Sequence, residues 1–106
     1  MSNLREFEHK VAIVTGASSG IGRATSLALA KGGAKVTILA RRERELSATA
    51  QEMSHLGAEF EKVLGDVTGE SVIQRAVDAT LRRFGGIEIL VNAAGIIATA
   101  SREATS

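Results

Sequence analysis

Apolar residues gather into four short runs, separated by three stretches in which they recur at helical spacing. The runs lie at 11–14, 36–40, 60–64 and 87–91, and each has the length of a buried strand. Among the stretches between them the third is the clearest helix. Ile73, Ala76, Val77, Thr80, Leu81 and Phe84 share one stripe, with Arg75, Asp78, Arg82 and Arg83 opposite. Leu46, Ala50, Met53 and Leu56 form a weaker stripe in the second, and an Ala- and Leu-rich stretch over 21–31 forms the first. Gly32, Gly33, Gly57, Gly85 and Gly86 follow helical runs, where the chain has to turn. Thr68 is placed to cap the third helix through its hydroxyl, with Gly69 a weak position just inside.

Strands alternating with helices predict a parallel sheet joined by right-handed crossovers. The third run carries Glu61 and Lys62, with Glu59 directly before it, which suit an edge, whereas the other runs are nearly all apolar, as buried parallel strands are. The expected fold is α/β, a partial Rossmann arrangement: a doubly wound parallel sheet, β-α-β-α-β-α-β, in strand order 3-2-1-4, with a cleft between strands 1 and 4. Residues 1–8 read as a tail before the first strand.

Composition narrows the class of protein without redirecting it. The chain has 106 residues, 44% hydrophobic and 24% charged, which suits one domain and is too short for two. A net charge of +1, with the basic residues spread along the chain, gives no footprint for nucleic acid or an anionic membrane. There is no cysteine, hence no disulfide and no thiolate metal site, and His9 and His55 are isolated and read as surface residues. The first ten residues lack the apolar core of a secretory signal, and no run approaches the roughly 20 apolar residues of a membrane span. The expectation is a soluble protein of the cytoplasm or another reducing intracellular compartment.

The chemistry begins directly after the first strand, with Thr15-Gly16-Ala17-Ser18-Ser19-Gly20-Ile21-Gly22 leading into a helix. A helix N-terminus offers unpaired N–H groups and a partial positive charge, so a diphosphate can sit there if no side chain blocks it. Gly16 allows the tight exit from the strand, Gly20 the close approach of backbone to phosphate, and Gly22 the packing of helix on sheet, while Ser18 and Ser19 add hydroxyl donors. The segment has no Gly-Lys-Ser/Thr, and Ser18 and Ile21 stand where G-x-G-x-x-G would need glycine or a different spacing. Taken alone, it is also compatible with an ordinary strand-to-helix turn.

The pattern TGxxxGIG resembles the short-chain dehydrogenase/reductase family, in the branch without an extended substrate domain. In that family an acidic residue at the end of the second strand binds the ribose 2′-hydroxyl of NAD. Here the matching position is Ala40, followed by Arg41 and Arg42. The resemblance therefore implies NADP(H) in preference to NAD(H), with Arg41 first and Arg42 second as partners of a 2′-phosphate; the plainer alternative is two solvated arginines opening a helix. Asp66 and Val67 match the family's adenine-binding pair, the alternative being an aspartate that serves its own turn. Asn92, Ala93, Ala94 and Gly95 resemble the family's NNAG segment with Ala93 at its second position, where Asn92 either contacts cofactor or ties neighbouring strands together. These matches occur in order from about residue 10 to 97.

The family's reaction uses a tyrosine, a lysine four positions later, a serine and an asparagine of the following helix. This chain contains no tyrosine, and none of its residues can be carried onto that motif, so no catalytic residue is assigned. Residues 97–106 look like a truncated loop after the fourth strand, with Thr105-Ser106 near the next helix cap. The chain thus reads as the N-terminal, cofactor-binding half of an NADP-dependent oxidoreductase, which moves hydride between nicotinamide and a carbonyl or alcohol, and which as this segment alone holds cofactor at most. Two other readings stay open: a non-enzymatic dinucleotide-binding or interaction module, and an excised or designed half-domain. In each case the fourth strand is expected to present a bare apolar edge and to promote self-association.

Overall fold

The computed structural model of the chain describes residues 6–93. The run VAIVT, every residue of it buried, forms β1 (Val11–Thr15), followed by α1 (Gly20–Lys31), β2 (Lys35–Ala40), α2 (Glu43–His55), β3 (Phe60–Leu64), α3 (Glu70–Phe84) and β4 (Ile89–Asn92). The four strands are parallel and lie in the order β3-β2-β1-β4, as the sequence predicts. β1 and β2 occupy the centre and are apolar on both faces, apart from Thr15, Thr37 and the leading Lys35.

Alternation along the strands sorts the core into two layers. Ala12, Val14, Val36, Ile38 and Ala40 point to α1 and α2, where they meet Leu29, Leu46, Ala50 and Met53. Leu39 and Val63 point to α3 and meet Ala76. On that second face, the buried hydroxyls of Thr37 and Thr80 lie 2.6 Å apart, and Thr80 Oγ1 donates to the Ala76 carbonyl oxygen at 2.6 Å.

The apolar stripe expected for α3 is only partly buried. Ala76 and Thr80 are inside, with Val72 and Ala79 packed at their flank, whereas Ile73 and Leu81 are exposed. Leu90, which shares a face with its register partner Ile13, is 68% exposed. The reason is width: four strands spaced by about 4.8 Å span roughly 14 Å, whereas one helix with its side chains covers about 10 Å. Two helices close the opposite face, and α3 alone cannot close this one.

β1, β2 and α1 each differ from expectation by one residue at one end, and two further differences have a visible cause. β4 begins at Ile89 rather than residue 87, because Glu88 is engaged at the foot of the sheet. Its amide donates to the Val11 carbonyl oxygen at 2.8 Å, and its carboxylate accepts from the Val11 amide at 2.6 Å. Thr68 does not cap α3. The N-cap is Gly69, with no side-chain hydrogen bond, and the Thr68 hydroxyl donates instead to Asp66 Oδ1 at 3.0 Å. An aspartate two residues earlier offers a charged acceptor, and the local turn it forms with the Thr68 amide and hydroxyl keeps Thr68 outside the helix, one residue before its N-cap.

β3 is an edge strand, and α3 helps to protect it. The Val36 amide donates to Glu59 O and the Gly65 amide to Ala40 O, so the odd-numbered residues of β3 turn their backbone groups toward β2, and Phe60 and Leu64 turn theirs outward. Arg83 Nη1 donates to Phe60 O at 2.9 Å, and Arg75 Nη2 to Leu64 O at 3.1 Å. Eight residues of helix rise about 12 Å and four residues of strand about 13 Å, so the two arginines are in register with the two outward carbonyls.

Candidate functional site

Every strand of a parallel sheet ends on the same side, and here the ends of β1, β2, β3 and β4 frame a cleft of about 510 Å³. Its floor is the turn between β1 and α1. Gly16 and Gly20 hold φ of 67° and 56°, the left-handed region in which a side chain is strained, and these two positions let the chain leave β1 and enter α1 within a few residues. Gly22 serves packing instead. A Cβ there would run into the Gly16 carbonyl oxygen, come within 2.6 Å of the Gly16 carbonyl carbon and lie 3.1 Å from Ala93 Cβ. A bare α carbon is therefore what lets the first turn of α1 sit against the end of β1.

Two features make the start of α1 suited to an anion. Its N-cap, Ser19, has extended backbone and no side-chain cap, so its hydroxyl does not occupy the free amides of the first turn. That first turn also holds no acidic residue, whereas α2 opens with Glu43 and Glu45 and α3 with Glu70. The partial positive charge of the helix end is left uncompensated only at α1.

One wall of the cleft is Ala40, Arg41 and Arg42 at the end of β2, and another is Gly65, Asp66, Val67 and Thr68 after β3. Asp66 is fixed in an acceptor turn: the amide and the hydroxyl of Thr68 both donate to Oδ1 at 3.0 Å. Its other oxygen lies 3.6 Å from Arg41 Nη1. These donors, Thr68 first and the Arg41 guanidinium after it, hold the Asp66 carboxyl below its ordinary value of 3.8. The Arg41 side chain is 66% exposed, so the guanidinium stands at the mouth of the cleft, paired loosely and reachable by a ligand.

The structure brings together Gly16, Ser18, Ser19, Gly20, Ile21, Gly22, Arg41, Arg42, Asp66, Val67 and Ala93, all of which line the cleft. Asn92 does not line it. Its Oδ1 accepts from the buried Thr15 hydroxyl at 2.9 Å, a bond that joins the ends of β4 and β1. Ala94 and Gly95 lie outside the described residues. Sequence reasoning missed Thr68 as a lining residue, although the Asp-x-Thr spacing that makes its turn was available. It also missed Thr49, which bonds the turn between β1 and α1 from behind and left no sequence signal beyond a hydroxyl on the buried stripe of α2. Among the described residues no group of three or more His, Cys, Asp and Glu could hold a metal ion, and no helix is long and apolar enough to cross a membrane.

Comparison with known proteins agrees with this geometry. A family described as short chain dehydrogenase matches residues 10–106. The chain is 41% identical over 95 residues to 11-beta-hydroxysteroid dehydrogenase A of Sesamum indicum, covering 89% of this chain and 27% of that protein. Two solved structures superpose closely. A short chain dehydrogenase/reductase from Burkholderia phymatum in complex with NAD is 38% identical with TM-score 0.77, covering 80% of this chain and 30% of that one. L-Sorbose reductase from Gluconobacter frateurii, complexed with NADPH and L-sorbose, is 35% identical with TM-score 0.78, covering 92% of this chain and 39% of that one. The chain thus spans well under half the length of the relatives it matches.

Proposed function

Since the chain belongs to the short-chain dehydrogenase family, we propose that it is the dinucleotide-binding part of an oxidoreductase that holds NADP(H) in preference to NAD(H). The observation that carries this reading is the junction of an uncompensated helix N-terminus with a guanidinium across one cleft: the first turn of α1 on the floor and Arg41 on the wall. A diphosphate fits the first, through the backbone amides of residues 18–22 and the hydroxyls of Ser18 and Ser19. A 2′-phosphate fits the second, where Ala40 supplies no carboxylate to repel it and Arg42 adds a neighbouring positive charge. Asp66 and Val67 take the adenine, and Ala93, Ala94 and Gly95 admit the ribose. Asn92 supports that end of the site through β1.

When bound, a nicotinamide dinucleotide supplies hydride to a carbonyl, or accepts it from an alcohol. The residues of this chain bind and orient the cofactor, and none is assigned a proton transfer. NADP(H) is favoured because Arg41 meets the one group that distinguishes it from NAD(H). Arg41→Ala should weaken NADPH binding about 10- to 100-fold, the effect of one charge-assisted hydrogen bond, and leave NADH within about twofold. Titration calorimetry with both cofactors decides this, and equal losses for both would remove the preference from the account.

A further inference from the structure

The turn between β1 and α1 is held by one residue that does not face the cleft. Ala17 is fully buried. Its amide donates to the Leu39 carbonyl oxygen of β2 at 3.1 Å, and its carbonyl oxygen accepts from Thr49 Oγ1 of α2, also at 3.1 Å. Thr49 is itself fully buried, and its hydroxyl also lies 3.4 Å from the Glu45 carbonyl oxygen one turn back. A hydroxyl has a single proton to give. The shorter contact is the long-range one, so the proton is spent mainly on the turn rather than on the helix.

Resting on the reading of the preceding subsection, we propose that Thr49 is a positioning residue for the diphosphate-binding turn, and that it sets affinity for both nicotinamide dinucleotides alike. The turn has glycine at 16 and at 20, and such a segment loses much conformational freedom when it orders on a ligand. Fixing Ala17 through both its amide and its carbonyl places the following amides before the ligand arrives, which removes that ordering from the cost of binding. The Thr49 hydroxyl bonds the Ala17 and Glu45 carbonyls and not the Arg41–Asp66 pair, so its effect should not distinguish a ligand with a 2′-phosphate from one without.

The test compares Thr49→Val, which keeps the shape and loses the donor, with Thr49→Ser, which keeps the donor. Thr80→Val is the control, since Thr80 is an equally buried helix hydroxyl on the opposite face. Calorimetry on the full chain should give Thr49→Val affinities about five- to tenfold weaker for NADPH and NADH alike, with their ratio unchanged. Thr49→Ser should bind as the wild type does, and Thr80→Val should do so even where its melting temperature falls. Wild-type affinity in Thr49→Val, or equal weakening in Thr80→Val, would overturn the assignment. If Thr49→Val does not fold, Thr49→Cys, a weaker donor that lacks the branching methyl, has to show the same parallel loss beside Thr49→Ser, which lacks that methyl too and keeps the donor. A wild-type protein that binds neither dinucleotide would instead defeat the proposed function, so the two failures are separate results.

Discussion

Replacing Gly22 by alanine adds one methyl group, and the structure specifies what that methyl meets. The obstacle is the backbone of Gly16, whose carbonyl carbon would lie 2.6 Å from the new atom. Ordinary contact needs about 3.5 Å, so α1 or the turn has to move by roughly 1 Å. Forcing an extra carbon into a filled interior costs about 1–3 kcal/mol, and a main-chain obstacle places this case at the upper end. Alanine in place of glycine within a helix returns about 1 kcal/mol. The net loss is about 2 kcal/mol, which for a domain of this size lowers the melting temperature by about 10 °C. Gly57→Ala separates collision from backbone strain. Gly57 has φ 75° and nothing within 4 Å of an added Cβ, so it should lose only about 1–2 kcal/mol and leave dinucleotide affinity alone. Gly22→Ala should lose both stability and affinity, as read by thermal melts with and without NADPH. A Gly22→Ala protein that melts within about 2 °C of wild type and binds normally would refute the packing argument.

Two further outcomes follow from the fold and the site. Removing the caps on β3 with the double change Arg75→Met and Arg83→Met should expose the outward carbonyls of Phe60 and Leu64, and increase self-association, measured by light scattering against wild type at equal concentration; unchanged scattering would show that the arginines do not guard that edge. Asp66 has a depressed carboxyl pKa, so its stabilising contribution is complete above the unfolded value and is lost as pH falls through the lower folded value. Wild type and Asp66→Asn should therefore differ in stability by a constant amount above about pH 5 and converge only below about pH 4; convergence nearer neutrality in pH-dependent melts would contradict the donor turn at Thr68.

Much of this was legible in the sequence, because the strongest signals there are physical necessities of the fold. The four apolar runs had to be parallel strands once helices separated them, and the charges at Glu59, Glu61 and Lys62 placed β3 at an edge. The glycines of the turn announced the floor of the cleft, and Arg41 and Asp66 its walls. What escaped depended on competition between partners. Thr68 has the residue type of a helix cap, but Asp66 takes its hydroxyl. Ile73 and Leu81 have the spacing of a buried stripe, yet a single helix does not cover the sheet on that side. Thr49 looks like any threonine in a helix, because only the three-dimensional crossing of α2 behind the turn gives its hydroxyl the Ala17 carbonyl. Arg75 and Arg83 read as a solvated face, and the match of helix rise to strand spacing that turns them onto β3 is visible only in the folded chain.

The most direct test of the account is a titration of the isotope-labelled protein with NADPH, followed through its backbone amide resonances. Saturable shifts that are largest at residues 18–22 would place the diphosphate on the first turn of α1. Saturable binding that leaves those amides unmoved, or a titration in which no resonance changes, would contradict the claim.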